Sequence, residues 1–403
     1  MLTFDIEEFI GKYVTRREES LLKADYIQNT KALHERIDGK RILVIGGAGT
    51  IGSNYVKAAL RHFKPAAMVV VDIDENALTE LTRDLRASSE YTIPEEYITE
   101  PIDLGSDLFT RFFRKSAPFD IVANFAARKH VRAERDLFSI EAMCETNAFM
   151  AKKLLDLLLE NPPEAFFCVS TDKAANPVNI MGATKKLMEE TIMAYATRLP
   201  IKTARFANVA FSNGSLPLGW LNRIAKKQPL SCPMDIRRYF VSPTESGELC
   251  LFASVMANSG DIVYPKLSPE RDMIPFDMIV KAMLEEMGLG CAPCSSSAEA
   301  KAAMTNLQAG YPCEFFESNT SGEKTFEEFY TDTDTKDEVR FINLGIVNNT
   351  QTRPLEEIDD IFTRLRETFK RSDATKADIV DILKDYLPEF NHIETGRSLD
   401  TRM

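Results

Sequence analysis

Short apolar runs and helical stretches alternate through the first half of the chain. Residues 41–45 (RILVI) form a β-branched run that ends in glycines, and 53–63 follow with apolar positions at helical spacing. A second buried run, 68–73 (MVVVDI), comes next. Further runs at 121–125 and 166–170 alternate with helical stretches at 104–115, 137–160 and 181–197. This alternation predicts βαβ units and a parallel sheet covered on both faces, an α/β fold of the Rossmann-type doubly wound class. Residues 1–38 read as a helical arm whose apolar positions, Phe4, Ile6, Phe9, Ile10 and Tyr13, require a surface to dock on. Beyond Arg205 the pattern changes to turns near 213–217, a proline-rich polar loop over 228–244 and a helix over 244–257. Periodic apolar positions are few over 290–340, and 355–386 return to amphipathic helix. The expected organisation is therefore an arm (1–38), a sheet domain (39–205), a smaller lobe (206–345) and a C-terminal helical extension (346–403).

Composition narrows the function. With 403 residues the chain exceeds one ordinary core, and 49 Lys plus Arg against 61 Asp plus Glu give a net charge of -12. Such a molecule repels polyanions, so nucleic acid is excluded as a first expectation. No apolar run approaches the roughly 18–20 residues that cross a bilayer, and the opening MLTFDIEEFI lacks the layout of a leader, so a cytoplasmic protein without a membrane span is expected. Seven scattered cysteines read as reduced thiols; Cys291 and Cys294 form one C-x-x-C with no second pair nearby, and no metal site is expected.

The chemistry concentrates in two places. Gly46, Gly49 and Gly52 of GGAGTIG lie between the first strand and the first helix, where backbone N–H groups and the helix N-terminus can face a pyrophosphate. Asp72, twenty residues beyond Gly52, ends the next strand, where a carboxylate accepts ribose hydroxyls and repels a 2′-phosphate; this favours NAD over NADP. The same binding set takes in Thr50 and Ile51 at the helix start and Ala126 and Ala127 after the fourth strand. It also includes Asp103 and Leu104 after the third strand, although Asp103 reads equally as a solvated loop acid.

The second cluster is STDKAANPVNIMGATKK, residues 170–186. A short-chain dehydrogenase places Ser or Thr at a strand end and Tyr-x-x-x-Lys on the next helix. Met181 and Lys185 have that spacing, with Met in the tyrosine position. Lys185 can hold a nicotinamide ribose, and proton transfer falls to the adjacent Asp172 and Lys173. The local pattern also admits a solvated charged turn with Met181 as core filler.

Together GGAGTIG, NFAARKHV (124–131), STDKAANPVNIMGATK, RFANVAFSNGS (205–215) and RRYFVSPTES (237–246) resemble the CapD-type polysaccharide biosynthesis proteins. These are extended short-chain dehydrogenase/reductases that act as UDP-N-acetylglucosamine 4,6-dehydratases. The resemblance spans about 39–285, with an echo in SGEKTFEEF (321–329). It implies a tightly bound NAD, a UDP-sugar substrate, and an intramolecular cycle in which hydride leaves C4 and returns to C6 as water is lost. By position, Asp172 matches the acid for the leaving hydroxyl, Lys173 the base at C5, Lys185 the ribose lysine, and Thr171 a hydroxyl at the C4 oxygen. Met181 matches a subset of members with methionine. Lys129, Asn147, Asn208, Ser215 and Arg238 match substrate-side positions, whereas His130 reads as a packed structural histidine. The resemblance also implies a homo-oligomer, with the arm and tail as candidate contacts. A C4 or C5 epimerase of the same fold, or a silent NAD-binding scaffold, are the competing expectations.

Overall fold

A computed structural model describes residues 4–318, 322, 324, 328–348 and 352–394. The apolar runs become strands β1 (Arg41–Ile45), β2 (Ala67–Asp72), β3 (Glu96–Pro101), β4 (Ile121–Asn124), β5 (Ala165–Val169) and β6 (Ile201–Ala204). They pair in parallel in the order β3-β2-β1-β4-β5-β6, with registers such as Ile42↔Met68 and Ile42↔Ile121. The order reverses at the β1–β4 junction. In open parallel sheets of this kind a crevice forms there, beyond the carboxyl ends of the strands.

After β6 the chain builds β7 (Asn208–Val209), β8 (Leu230–Pro233), β9 (Arg237–Val241), β10 (Ile262–Pro265), β11 (Met273–Pro275), β12 (Cys291–Cys294), β13 (Tyr311–Phe316), β14 (Lys336–Asp337) and β15 (Leu344–Val347). Two three-stranded sheets, β11-β9-β7 and β12-β13-β8, form the smaller lobe. The expected polar loop over 228–244 thus holds two strands, and the weakly periodic stretch 290–340 holds three more plus a helix, Ser297–Ala303. The boundary expected at 205 does not separate the layers. β10 continues the main sheet in parallel beside β6, β15 and β14 close it antiparallel, and the Pro243–Met256 helix packs on the Thr50–His62 helix. That packing is intimate: a Cβ on Gly247 would lie 2.1 Å from the Asn54 carbonyl oxygen.

The terminal extensions dock in cis. The arm is broken into a short helix, Ile6–Phe9, a π-helical turn, Ile10–Val14, and a helix, Lys23–Ile37. Phe9, Ile10 and Val14 pack with Phe211, Trp220 and Phe240 of the smaller lobe. Arg17 fixes the break by donating to both carboxylate oxygens of Glu245 at 2.8 Å. The tail forms helices Leu355–Lys370 and Lys376–Tyr386, whose Ile358, Ile361, Phe362, Leu365, Ile379 and Leu383 bury against Ile140, Met143, Ile180 and Leu187. The apolar faces of arm and tail are therefore covered within the chain. Of the SGEKTFEEF segment, residues 321, 323 and 325–327 lie outside the described residues.

One strand position is costly. Lys202 on β6 is 7% exposed, and burial, aided by repulsion from Arg36 and partly offset by Asp261, lowers its ammonium pKa from 10.5 to about 8. At pH 7 the folded chain therefore carries a charged lysine at a cost of roughly 3 kcal/mol. Between pH 8 and 10.5 the unfolded state binds the extra proton, so stability rises with pH there. Lys202→Met should raise the stability measured by urea denaturation at pH 7, with the gain shrinking above pH 8. A gain that is absent at pH 7, or that grows with pH, contradicts this.

Candidate active site

A cavity of about 780 Å³ opens at the carboxyl ends of β1, β4, β5 and β6. Gly46, Gly49, Thr50, Ile51 and Gly52 line one end, and Val169, Thr171, Asp172, Lys173, Met181 and Lys185 line the other. Ala127, Lys129 and Asn208 complete the sequence-predicted residues that it brings together.

The glycine end is shaped by close backbone approach. Gly46 has φ +71°, and a Cβ there would lie 2.5 Å from the Ala126 nitrogen; a Cβ on Gly52 would lie 2.3 Å from the Gly46 oxygen. Neither position admits a side chain, so the turn stays open to an incoming group. Asp72 closes the turn from the side, accepting the Ala48 N–H at 2.9 Å and the Asp74 N–H at 3.1 Å. Asp103 accepts the Gly105 N–H at 2.8 Å in its own turn, Leu104 is buried, and neither these two nor Asp72 or Ala126 lines the cavity.

At the other end, Thr171 leaves β5 extended and starts a single turn of 3-10 helix, Asp172–Ala174. Asp172 is 2% exposed. Its Oδ1 accepts from Thr171 Oγ1 at 2.8 Å, Lys173 N at 2.9 Å and Lys173 Nζ at 3.1 Å. Its Oδ2 is buried and has no hydrogen-bond partner among the described residues. The helix Ile180–Met193 begins at Asn179, whose Oδ1 accepts the Gly182 N–H at 2.7 Å, while Met181 N–H donates to Glu134 Oε1 at 2.9 Å. The missing side chain of Gly182 is what allows this: a Cβ there would sit 2.6 Å from the Lys173 carbonyl oxygen.

Lys185, expected at a ribose, donates to the Val169 carbonyl at 2.6 Å, and burial lowers its pKa against the smaller opposing effects of Cys168 and Glu189. Beneath it, Glu189 accepts Ser170 Oγ at 2.6 Å and two N–H groups of Arg205 at 2.9 and 2.6 Å. Burial alone would raise the Glu189 carboxyl; the Arg205 guanidinium reverses that and holds it below its ordinary value. Asn147, expected at the substrate, instead lies 1% exposed outside the lining. It accepts Arg128 N–H at 2.8 Å and donates to Arg128 O and Thr184 Oγ1, both at 3.0 Å, tying the 128 loop to the Ile180–Met193 helix. Ser215 caps the Leu216–Ala225 helix, and Arg238 donates to the Arg237 carbonyl on β9; both stand outside the lining. Asn208 reaches the Tyr239 carbonyl at 3.5 Å.

Sequence reasoning missed part of the wall. Arg128, Arg135, Ser139 and His130 line the cavity, and His130 packs its ring against Gly214, where a Cβ would lie 2.6 Å from its Cε1. The run A-R-K-H-V-R-A-E-R is the signal that could have marked the wall as basic. Burial lowers the Lys129 ammonium pKa, yet the residue is exposed by surface area. The described residues contain no group of three His, Cys, Asp or Glu that could hold a metal.

The sequence profile of the polysaccharide biosynthesis protein family matches residues 42–348. The chain belongs to this family. An uncharacterized membrane protein of Methanocaldococcus jannaschii is 34% identical over 62% of the chain and 73% of its own length. CapD of Staphylococcus aureus, a capsular polysaccharide biosynthesis protein, is 28% identical over 60% of the chain, which spans only 41% of CapD. An inverting UDP-N-acetylglucosamine 4,6-dehydratase of Campylobacter jejuni is 27% identical over 57% of the chain and 68% of the enzyme. Pen of Bacillus thuringiensis superposes with a TM-score of 0.61 at 21% identity, over 79% of this chain and 89% of Pen. DesIV of Streptomyces venezuelae, a dTDP-glucose 4,6-dehydratase with NAD and TYD bound, superposes at 0.55 and 15% identity, over 78% and 94%. These two likenesses establish the fold. No helix among the described residues is long and apolar enough to cross a membrane.

Gly182→Ala tests the close approach that sets the active end of the cavity. It should cost about 1–3 kcal/mol in chemical denaturation, since the Lys173 carbonyl must shift. An unchanged midpoint contradicts this.

Proposed function

We propose that the protein is an NAD-dependent 4,6-dehydratase acting on a UDP-N-acetylhexosamine, with UDP-N-acetylglucosamine the first substrate to test, and that it works in the cytoplasm. The observation that carries this reading is the orphaned Oδ2 of Asp172, buried beside a cavity large enough for cofactor and sugar nucleotide. A buried carboxylate oxygen without a donor is expensive unless it holds a proton or receives one from a ligand. Dehydration requires such a group, to hand a proton to a departing hydroxyl; simple C4 epimerisation does not.

The glycine turn fits a dinucleotide's pyrophosphate: two positions where a Cβ would collide with backbone leave N–H groups and a helix N-terminus facing the cavity. Asp72 at the end of β2 favours NAD over NADP by opposing a 2′-phosphate. Lys185, donating to Val169 O, lies where it can transfer a bond to a ribose hydroxyl. When bound, the nicotinamide supplies reversible hydride acceptance, drawn from C4 and returned at C6.

The chain's own groups handle the protons. Thr171 Oγ1 bonds the C4 oxygen, which keeps the developing ketone oriented. The C5–H bond, acidified by that ketone, breaks toward a neutral Lys173 Nζ. The C6–O bond breaks as Asp172 Oδ2 gives its proton to the leaving oxygen, and water departs. As hydride returns at C6, Lys173 Nζ hands its proton back to C5, and the proton shed by the C4 hydroxyl, released to solvent, is made good at Asp172; the pair thus passes from carboxylic acid and amine through carboxylate and ammonium, 3.1 Å apart, and back. Lys129, Asn208 and the basic wall face the sugar nucleotide, whose diphosphate needs cations that a chain of net charge -12 must supply locally.

Incubated with UDP-N-acetylglucosamine, the protein should yield a product lighter by one water with a new C6 methyl signal in proton NMR. UDP-N-acetylgalactosamine would instead mark a C4 epimerase, a 4-keto product unchanged by Asp172→Asn would remove the acid, and intact substrate with bound NAD would support a scaffold. Lys173→Ala should abolish turnover while retaining cofactor, and Asp172→Asn should lower kcat by about 10²–10⁴.

A further inference from the structure

Residues 391–393 of the C-terminal tail run against the segment that carries the candidate site. Beyond the Lys376–Tyr386 helix, Asn391 N–H donates to the Pro177 carbonyl at 3.0 Å and Ile393 N–H to the Val178 carbonyl at 2.9 Å. On its other side the Ile393 carbonyl accepts the Gly322 N–H at 2.9 Å, and Gly322 O accepts Asn179 Nδ2 at 2.7 Å. Three segments far apart in sequence are therefore laced together one residue before the catalytic helix begins. Between the laces stands His392, its side chain 7% exposed, with Nε2 3.7 Å from Glu134 Oε2. The other oxygen of Glu134 is the acceptor for Met181 N–H.

We propose that the tail around residues 391–393 is a positioning strap for the catalytic segment 171–182, acting through Pro177–Val178 and through Glu134. The physical case is local. A helix leaves its first N–H groups without intrahelical partners, and at this helix Asn179 and Glu134 satisfy two of them. Asn179 is itself held by Gly322, which the tail holds in turn. Within the loop between Asp172 and Asn179, Asn176 Nδ2 donates to Glu328 Oε2 at 3.0 Å, and the tail bonds to Pro177 and Val178 hold the far end down. Lifting would carry Lys173 off Asp172, because the Lys173 carbonyl rests against Gly182. The tail helices anchor the strap: Ile379 and Leu383 are buried in the same cluster as Ile180 and Met181.

The kinetic arm of the test rests on the dehydratase reading; the exchange arm does not. In the full chain, Ile393→Pro removes the N–H donated to Val178, whereas Ile393→Ala keeps it. Hydrogen exchange of amides 173–182, read by mass spectrometry, should quicken about tenfold or more in the proline variant and stay within about twofold in the alanine variant. Dehydration kcat should fall about tenfold with KM within about threefold in the first and hold in the second. Glu134→Ala should loosen the same amides, and Glu134→Gln, which keeps the acceptor for Met181 N–H, should restore them. If the proline variant does not fold, the Glu134 pair decides. Unchanged exchange in folded Ile393→Pro, or equal exchange in Glu134→Ala and Glu134→Gln, overturns the strap. Loosened exchange in a protein whose native form dehydrates nothing leaves the strap standing and sinks the dehydratase reading.

Discussion

A carboxylate with one saturated oxygen and one bare oxygen is a poised group. Asp172 is such a group, and the surrounding structure makes sense as the means of keeping it so. Three donors on Oδ1 hold the side chain in place without spending Oδ2. Removing a charge from water costs several kcal/mol unless it is paired, and Lys173 Nζ, 3.1 Å from Oδ1, is the partner that offsets that cost. The strand end, the single 3-10 turn and the glycine contact at 182 together fix that position.

Support for this pair is layered. Below it, the Glu189–Arg205 ion pair joins the catalytic helix to the end of β6 and, through Ser170, to the end of β5; Arg205 also donates to the Phe329 carbonyl at 3.1 Å. Beside it, Asn147 spends both of its N–H donors and accepts one bond between the 128 loop and Thr184, which ties the basic wall to the helix. Above it lies the tail. Each layer draws residues from a different part of the chain, so the parallel sheet alone does not build the site.

Much of this was legible in sequence because local signals coincide there. The RILVI run, the glycines and Asp72 mark β1, the turn and the end of β2, since a buried parallel strand reads as a continuous apolar run. Asp172, Lys173, Met181 and Lys185 are legible because one strand end and one helix turn bring them together. Glu134 and Gly182 were not: one meets Met181 across 47 residues, and the other matters for a side chain it lacks. The strands at 230–233 and 237–241 are short, and Pro233 and polar neighbours mask them, so tertiary pairing decides their state. The return of β10, β14 and β15 to the main sheet beyond residue 205 was hidden for a similar reason, because long-range contacts decide it. Ser215 and Arg238 were matched by motif, and motif does not report that one caps a helix while the other lies along a strand.

The most direct test of the central claim is the position of the sugar relative to the bare oxygen. In a crystal structure of the Lys173→Ala protein with NAD and UDP-N-acetylglucosamine, Asp172 Oδ2 should lie about 2.6–3.2 Å from the C6 oxygen. A sugar bound with its C6 oxygen beyond reach of Oδ2, or with Oδ2 turned onto a protein donor, would contradict the account.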